Sequence, residues 1–247
     1  MTRDERDFSV ELEAFRQACE EASQYLYAYI AIHGIARQRR RVLRHLQDNS
    51  LFWLTVTSAL QLSSLIALGR VFDHRSRHNV SRLLNLAQQS TSLFTRDALA
   101  RRKRAGGPEP PWLAEFLETA YEPAARDFRA LKARVKQHRR VYEERYRDLR
   151  HQVFAHAVAT DSDRQRLFAR TNVEQLKRLI TFLLSLHEAL LGLFQDGRKP
   201  VPRRLRYSAR PVPGLDPAQR VTSWRPHERI VLQAEQVLKC ASGLTTR

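Results

Sequence analysis

FRALKARVKQHRRVYEERYRDLRHQV, residues Phe128 to Val153, decides how this chain is read. Its apolar and aromatic positions, Phe128, Leu131, Val135, His138, Tyr142, Tyr146, Leu149 and Val153, step by three and four. An α-helix turns once in 3.6 residues, so those steps place all eight on one face over more than seven turns. The intervening positions are mostly Arg, Lys and Glu, as a solvated face requires. One long amphipathic helix follows, and it needs other helices to cover its stripe.

The rest of the chain supplies them. Strand signals are nearly absent, and the 3.6-residue period recurs throughout. A helix is expected from Val10 to Leu46, with Leu12, Phe15, Cys19, Ala22, Leu26 and Ile30 inward. A second, Leu51 to Phe72, is apolar most of the way round and is expected at the bundle centre, with Asp48, Asn49 and Ser50 as cap candidates. Shorter helices follow at about Val80 to Gln89 and Leu93 to Arg104. Arg101, Arg102, Lys103 and Arg104 then run into Gly106, Gly107 and Pro108, which reads as an exposed basic loop. Pro111 suits the first turn of a short helix through Ala120. The long helix should fray between Ala157 and Asp163. Thr171 to Glu174 matches a capping box that opens an apolar helix ending at Gly197. Beyond it, Pro200, Pro202, Pro211, Pro213 and Pro217 mark an extended linker laced with Arg203, Arg204, Arg206 and Arg210, and a last helix is expected from Pro226 to Cys240. The expected architecture is all-α: a helical bundle over 1–197, then a basic, proline-rich arm with a short C-terminal helix over 198–247.

Charge sets the expected partners. Lys and Arg number 43 against 26 Asp and Glu, a net +17. Such an excess attracts polyanions, and an Arg fork matches phosphate with two parallel hydrogen bonds. Two cysteines, Cys19 and Cys240, form no disulfide framework or metal-ligand spacing, which fits a reducing, cytoplasmic setting. Leu51 to Phe72 has the length of a membrane span, yet Thr55, Gln61, Ser63, Ser64 and Arg70 favour a buried bundle helix, so no membrane partner is expected. His74 and His78 with Asp73 are a weak metal set, because Arg75 and Arg77 stand among them. No cofactor is implied.

Chemistry concentrates at the end of the long helix, where Arg150 and His156 bracket five residues and His151 follows the arginine. Histidine moves protons near neutral pH. A fixed arginine can stabilise the extra negative charge of a phosphorane. Together they suit attack of a ribose 2′-hydroxyl on the adjacent phosphodiester, without a metal. On a straight helix the two side chains would stand about 120° and ~9 Å apart, reaching one phosphate only across a groove or a break. Two copies facing each other would give a fuller site. Ordinary roles compete: His156 as a satisfied core histidine, Arg150 as a cation at a helix C-terminus.

The Arg-x5-His segment, polar after its arginine and late in a helical bundle, resembles the HEPN superfamily motif. The stretch from Asn49-Ser50-Leu51-Phe52-Trp53 through Arg70-Val71-Phe72-Asp73 is similar to its abortive-infection AbiU-like branch. The resemblance covers about residues 10–195. It implies a homodimeric bundle with Arg150 and His156 at the dimer cleft, His151 in support, cutting single-stranded RNA. A toxin or anti-phage defence role follows, with an antitoxin as a possible partner. Arg147, the Arg101–Arg104 run and Arg203, Arg204 and Arg206 are the expected RNA contacts. The competing readings are a non-catalytic RNA- or DNA-binding bundle and a dimeric scaffold for an acidic partner.

Overall fold

The first helix starts earlier than its apolar stripe. Thr2 Oγ1 accepts from the Glu5 amide (3.2 Å), and the Glu5 carboxylate accepts from the Thr2 amide (2.7 Å). This capping box satisfies two amide donors that an open helix end would leave unpaired. In the computed structural model, which describes residues 2–104, 106–151, 172–203 and 226–243, helix α1 runs Arg3–Gln38. It does not reach Leu46. Arg39 takes an extended conformation (φ −129°, ψ 104°) and α2 begins at Arg40–Asp48. The bend lets Val42 turn inward with Ile35 and Ala36, all three buried. An ion pair from Arg39 to Glu235 (2.9 Å) pins the corner.

Among the described residues, helices are the only regular structure: α3 Ser50–Phe72, α4 Val80–Gln89, a 3-10 turn Thr91–Phe94, α5 Arg96–Arg104, α6 Leu113–Thr119, α7 Ala125–Tyr142, α8 Val173–Asp196 and α9 Pro226–Ala241. The main core gathers the inner faces of α1, α4, α7, α8 and the second half of α3. Phe8 anchors one end, packed edge-on to Phe94 at 5.3 Å and tilted against Phe194 at 5.0 Å. A smaller core joins the second half of α1 to α2 and α9 through Tyr27, Ile32, Ile35, Val42, Val231 and Leu238. The C-terminal helix is therefore packed into the bundle.

Helix α3 departs from the expected central position. Its second half is buried at Leu65, Leu68, Val71 and Phe72, but Leu51, Phe52 and Leu54 are 80%, 62% and 63% exposed. Its first turns have only the small core to lean on, through Trp53, Val56 and Leu60, so one side stays uncovered. By length and composition α3 and α8 could each cross a membrane. The Asn49 cap is positional: its side chain donates to the His45 carbonyl (2.9 Å), not to the helix it precedes.

Two further boundaries shift, and one holds. The cations Arg101 to Arg104 form the last turn of α5, where the helix dipole favours positive charge, and not a loop. Asn172, not Thr171, caps α8, its side chain accepting from the Glu174 and Gln175 amides. Gly197 ends α8 as expected, in the left-handed region at φ 58°, with the Arg198 amide closing on the Gly192 carbonyl.

On α8, buried His187 packs 6.4 Å from Phe15. Burial, with Arg16 adding, pulls its imidazole down to about 4, while Glu13 acts the other way. An unfolded histidine titrates near 6.5, so between about 6.5 and 4 the unfolded chain binds a proton that the folded chain refuses. Stability is whole above that window and falls as pH drops through it, by about 2 kcal/mol at pH 5. Urea midpoints at pH 7.5 and pH 5 test this. His187→Gln should lose markedly less between the two, and an identical loss in both proteins would remove His187 from the account.

Candidate active site

The long helix is α-helical only to Tyr142. From Glu143 to Arg147 it winds as a π-helix, and that winding resumes over 149–151. A π turn bonds i to i+5 and holds more residues than 3.6, so side chains beyond it leave the α register. The expected stripe still faces inward: Phe128, Leu131, Val135, Tyr142, Tyr146 and Leu149 are all buried. His138 lies half-buried and stacks on Phe182 at 3.7 Å. The expected spacing of Arg150 and His156 runs into residues outside those described. Tyr146 holds the segment in place, its hydroxyl donating to the Asn172 carbonyl at the start of α8 (2.9 Å).

Wide winding delivers Arg150 onto the last turn of α3. Its side chain is only 15% exposed and lies against Gly69. A β-carbon on Gly69 would stand 1.8 Å from Arg150 Nη1 and 2.9 Å from Cζ, so the guanidinium occupies the space a side chain would need. Nη2 lies 2.7 Å from His151 Nε2 and 3.9 Å from the Asp73 carboxylate. A guanidinium only donates, so His151 Nε2 is the acceptor in this contact. The negative end of the α3 dipole and Asp73 both favour a cation here.

Tyr142 closes the site from beneath, stacked on Phe72 at 5.3 Å. Its hydroxyl is buried without a hydrogen-bond partner and sits 3.0 Å from where a Gly69 β-carbon would be. Burial pushes the phenol up to about 12; Arg150 opposes the shift and Asp73 adds to it. Tyr142 therefore stays a neutral donor. The assembly offers an oriented cation, a neutral phenol and an imidazole beside it. His156 lies outside the described residues.

The expected RNA contacts separate. Arg102 is half-buried: it donates to Glu5, Leu93 and Phe194 and lies 4.3 Å over the Phe194 ring. Its planar fork is therefore occupied within the chain, which speaks against a primary role in holding RNA. Lys103 pairs with Asp196 at 3.2 Å and Arg104 with Glu109 at 2.5 Å. Arg101 and Arg203 are exposed, as is most of Arg147, 3.9 Å from Asp148. Arg204 and Arg206 lie outside the described residues. Arg70 pairs with Glu21 across to α1 (2.9 Å) and not with Asp73, which instead caps the turn by accepting from the Arg75 amide. His74 contacts Arg139 and His78 contacts Glu11, so these histidines face different partners.

Sequence reasoning does not single out Gly69 or Tyr142 as site residues. A lone glycine inside an apolar helix is the available signal, since it lowers helix stability by about 1 kcal/mol against alanine and so points to a packing reason.

The described residues form an all-α bundle, which is consistent with a protein of the HEPN kind. The profile of AbiU2, a HEPN family, matches residues 5–210, and the chain belongs to that family. No curated protein and no solved structure matches it.

Proposed function

We propose that this chain is a metal-independent endoribonuclease that cuts single-stranded RNA, acting in abortive infection or as a toxin held by an antitoxin. The observation that carries the reading is the Arg150 guanidinium, held in a gap on α3 that the missing Gly69 side chain leaves. A cation fixed before the reaction suits a phosphorane better than a mobile one, because no reorganisation is needed as charge develops. In the proposed step the ribose 2′-oxygen bonds to phosphorus and the bond from phosphorus to the 5′-oxygen breaks. His156 takes the 2′-hydroxyl proton, and the leaving 5′-oxygen receives one from the imidazole of a second copy across a homodimer cleft. Products are a 2′,3′-cyclic phosphate and a 5′-hydroxyl.

Geometry limits where that cleft can lie. The exposed Leu51, Phe52 and Leu54 stand 15 or more residues before Gly69 on α3, roughly 25 Å away. A dimer sealed only through them would not unite two arginine sites, so the proposed cleft forms at the other end of α3. Of the cations that a non-catalytic binding module would use, Arg102, Lys103 and Arg104 are engaged within the chain, while Arg101 and Arg203 are exposed.

Labelled single-stranded RNA incubated in EDTA with purified wild type and His156→Ala tests the proposal. Wild type should cut and leave cyclic phosphate ends, and the variant should cut at least 100-fold more slowly. Equal cutting by both, or none by wild type, would overturn it.

A further inference from the structure

A second basic feature lies along α7, apart from Arg150. Between α4 and α7, beside the turn after α3, is a cleft of about 490 Å³. Lys132, Lys136, Arg139 and Arg140 line it from α7, with His74 from the turn and Ser81 from α4, and Glu143 is the acidic residue on its wall. Positions 132, 136 and 139 share one helix face, and like charges at that spacing repel, with Glu143 offsetting Arg139 at the end of the row.

The partners of these cations are mostly neutral. Lys132 donates to the Gln88 side-chain oxygen. Arg139 is oriented by His74 Nε2 and Ser81 Oγ, both at 2.5 Å, and its Nε is buried with no partner. Lys136 is exposed. Arg140 turns to Glu144 (2.6 Å) on the solvent side. Burial pulls both Lys132 and Arg139 below their ordinary values. Neutral partners thus hold the Arg139 fork in place, with Glu143 the one carboxylate lining the cleft among the described residues, inside a concavity too narrow for a flat acidic protein surface.

We propose that this cleft seats backbone phosphates of single-stranded RNA flanking the one at Arg150, through Lys132, Lys136 and Arg139. The proposal rests on the ribonuclease reading and adds the path of the substrate. His74 follows Asp73, the residue facing Arg150, so cleft and site share one corner. Arg139 and Arg150 are eleven residues apart, at most roughly 16 Å along the helix since the π turns between them rise less per residue, a span that one extended strand bridges.

Binding of a fluorescent 2′-O-methyl oligoribonucleotide, which cannot be cut by 2′-hydroxyl attack, tests the path. The full chain is compared with Lys136→Glu, the Lys132→Gln/Lys136→Gln double variant and Arg3→Glu across a salt series. Arg3, 93% exposed on α1, matches the charge change of Lys136→Glu away from the cleft. The log–log salt slope should become shallower by about 0.7 for every phosphate that the cleft variants no longer neutralise, and stay at wild type in Arg3→Glu. Equal weakening by Lys136→Glu and Arg3→Glu would mean long-range charge alone and would overturn the proposal, as would no change in either. Adenosine monophosphate bound by wild type but not by Lys136→Glu, with the RNA slope unmoved, would overturn it too and assign the cleft to a free nucleotide. Because the probe is uncleavable, failure here is distinct from failure to cut RNA.

Discussion

Gly69→Ala is expected to fold at least as stably as wild type and to cut RNA as poorly as Arg150→Ala. The added methyl would fall 1.8 Å from Arg150 Nη1, at the far end of a flexible side chain, and 3.0 Å from the Tyr142 hydroxyl. The guanidinium can swing away at little cost to the fold. Alanine in a helix is favoured over glycine by about 1 kcal/mol, which offsets the crowding at Tyr142. The variant gives up the orientation of the cation. Removing one such preorganised group typically lowers turnover by about 100- to 1000-fold. Thermal melts and RNA cleavage measured on Gly69→Ala, Arg150→Ala and wild type give the comparison. Wild-type cutting by Gly69→Ala would show that Arg150 does not work from this gap. A large drop in melting temperature would show that the gap serves packing alone.

Arg102→Ala is expected to be the most destabilising of the arginine substitutions, by about 3–5 kcal/mol. Its guanidinium reaches Glu5 at 3.2 Å, the Leu93 carbonyl at 2.8 Å and the Phe194 carbonyl at 2.7 Å, tying α1, the 3-10 turn and α8 together. Truncation leaves the buried Glu5 carboxylate without its cation. Burial alone would raise that carboxyl; the Thr2 amide and Arg102 outweigh it and hold it below the ordinary value. A carboxyl lowered in this way adds stability above its unfolded titration range, and the gain disappears as pH falls through the folded value. For a chain of this size the expected melting shift is roughly 10 °C. Exposed Arg101→Ala should stay within about 0.5 kcal/mol of wild type. A stable Arg102→Ala with weakened RNA binding would return Arg102 to the RNA surface.

The neighbouring cations show why this distinction was hidden. Arg101 and Arg102 are adjacent and chemically identical in the sequence. On the last turn of α5 they point about 100° apart, one into solvent and one between Glu5 and Phe194. A run of arginines reports charge, while direction depends on which helix lies alongside. Gly69 and Arg150 are similar. They are 81 positions apart, and neither spacing nor composition connects them.

Local chemistry determined much of this protein before any packing was known. The 3.6-residue period from Phe128 to Leu149, the left-handed stop at Gly197 and the absence of strand alternation settled an all-α bundle. Each depends on residues within a turn or two of one another. The short segment at Arg150 likewise pointed to the family whose profile the chain matches. Tertiary structure decided the rest. It set the break at Arg39, where Val42 must reach the small core, and the exposure of Leu51, Phe52 and Leu54, where no described helix covers them. It also set the π winding after Tyr142 and the gap at Gly69 that receives Arg150. Those features arise from contacts between residues far apart in the chain. Their energies exist only once the helices have met.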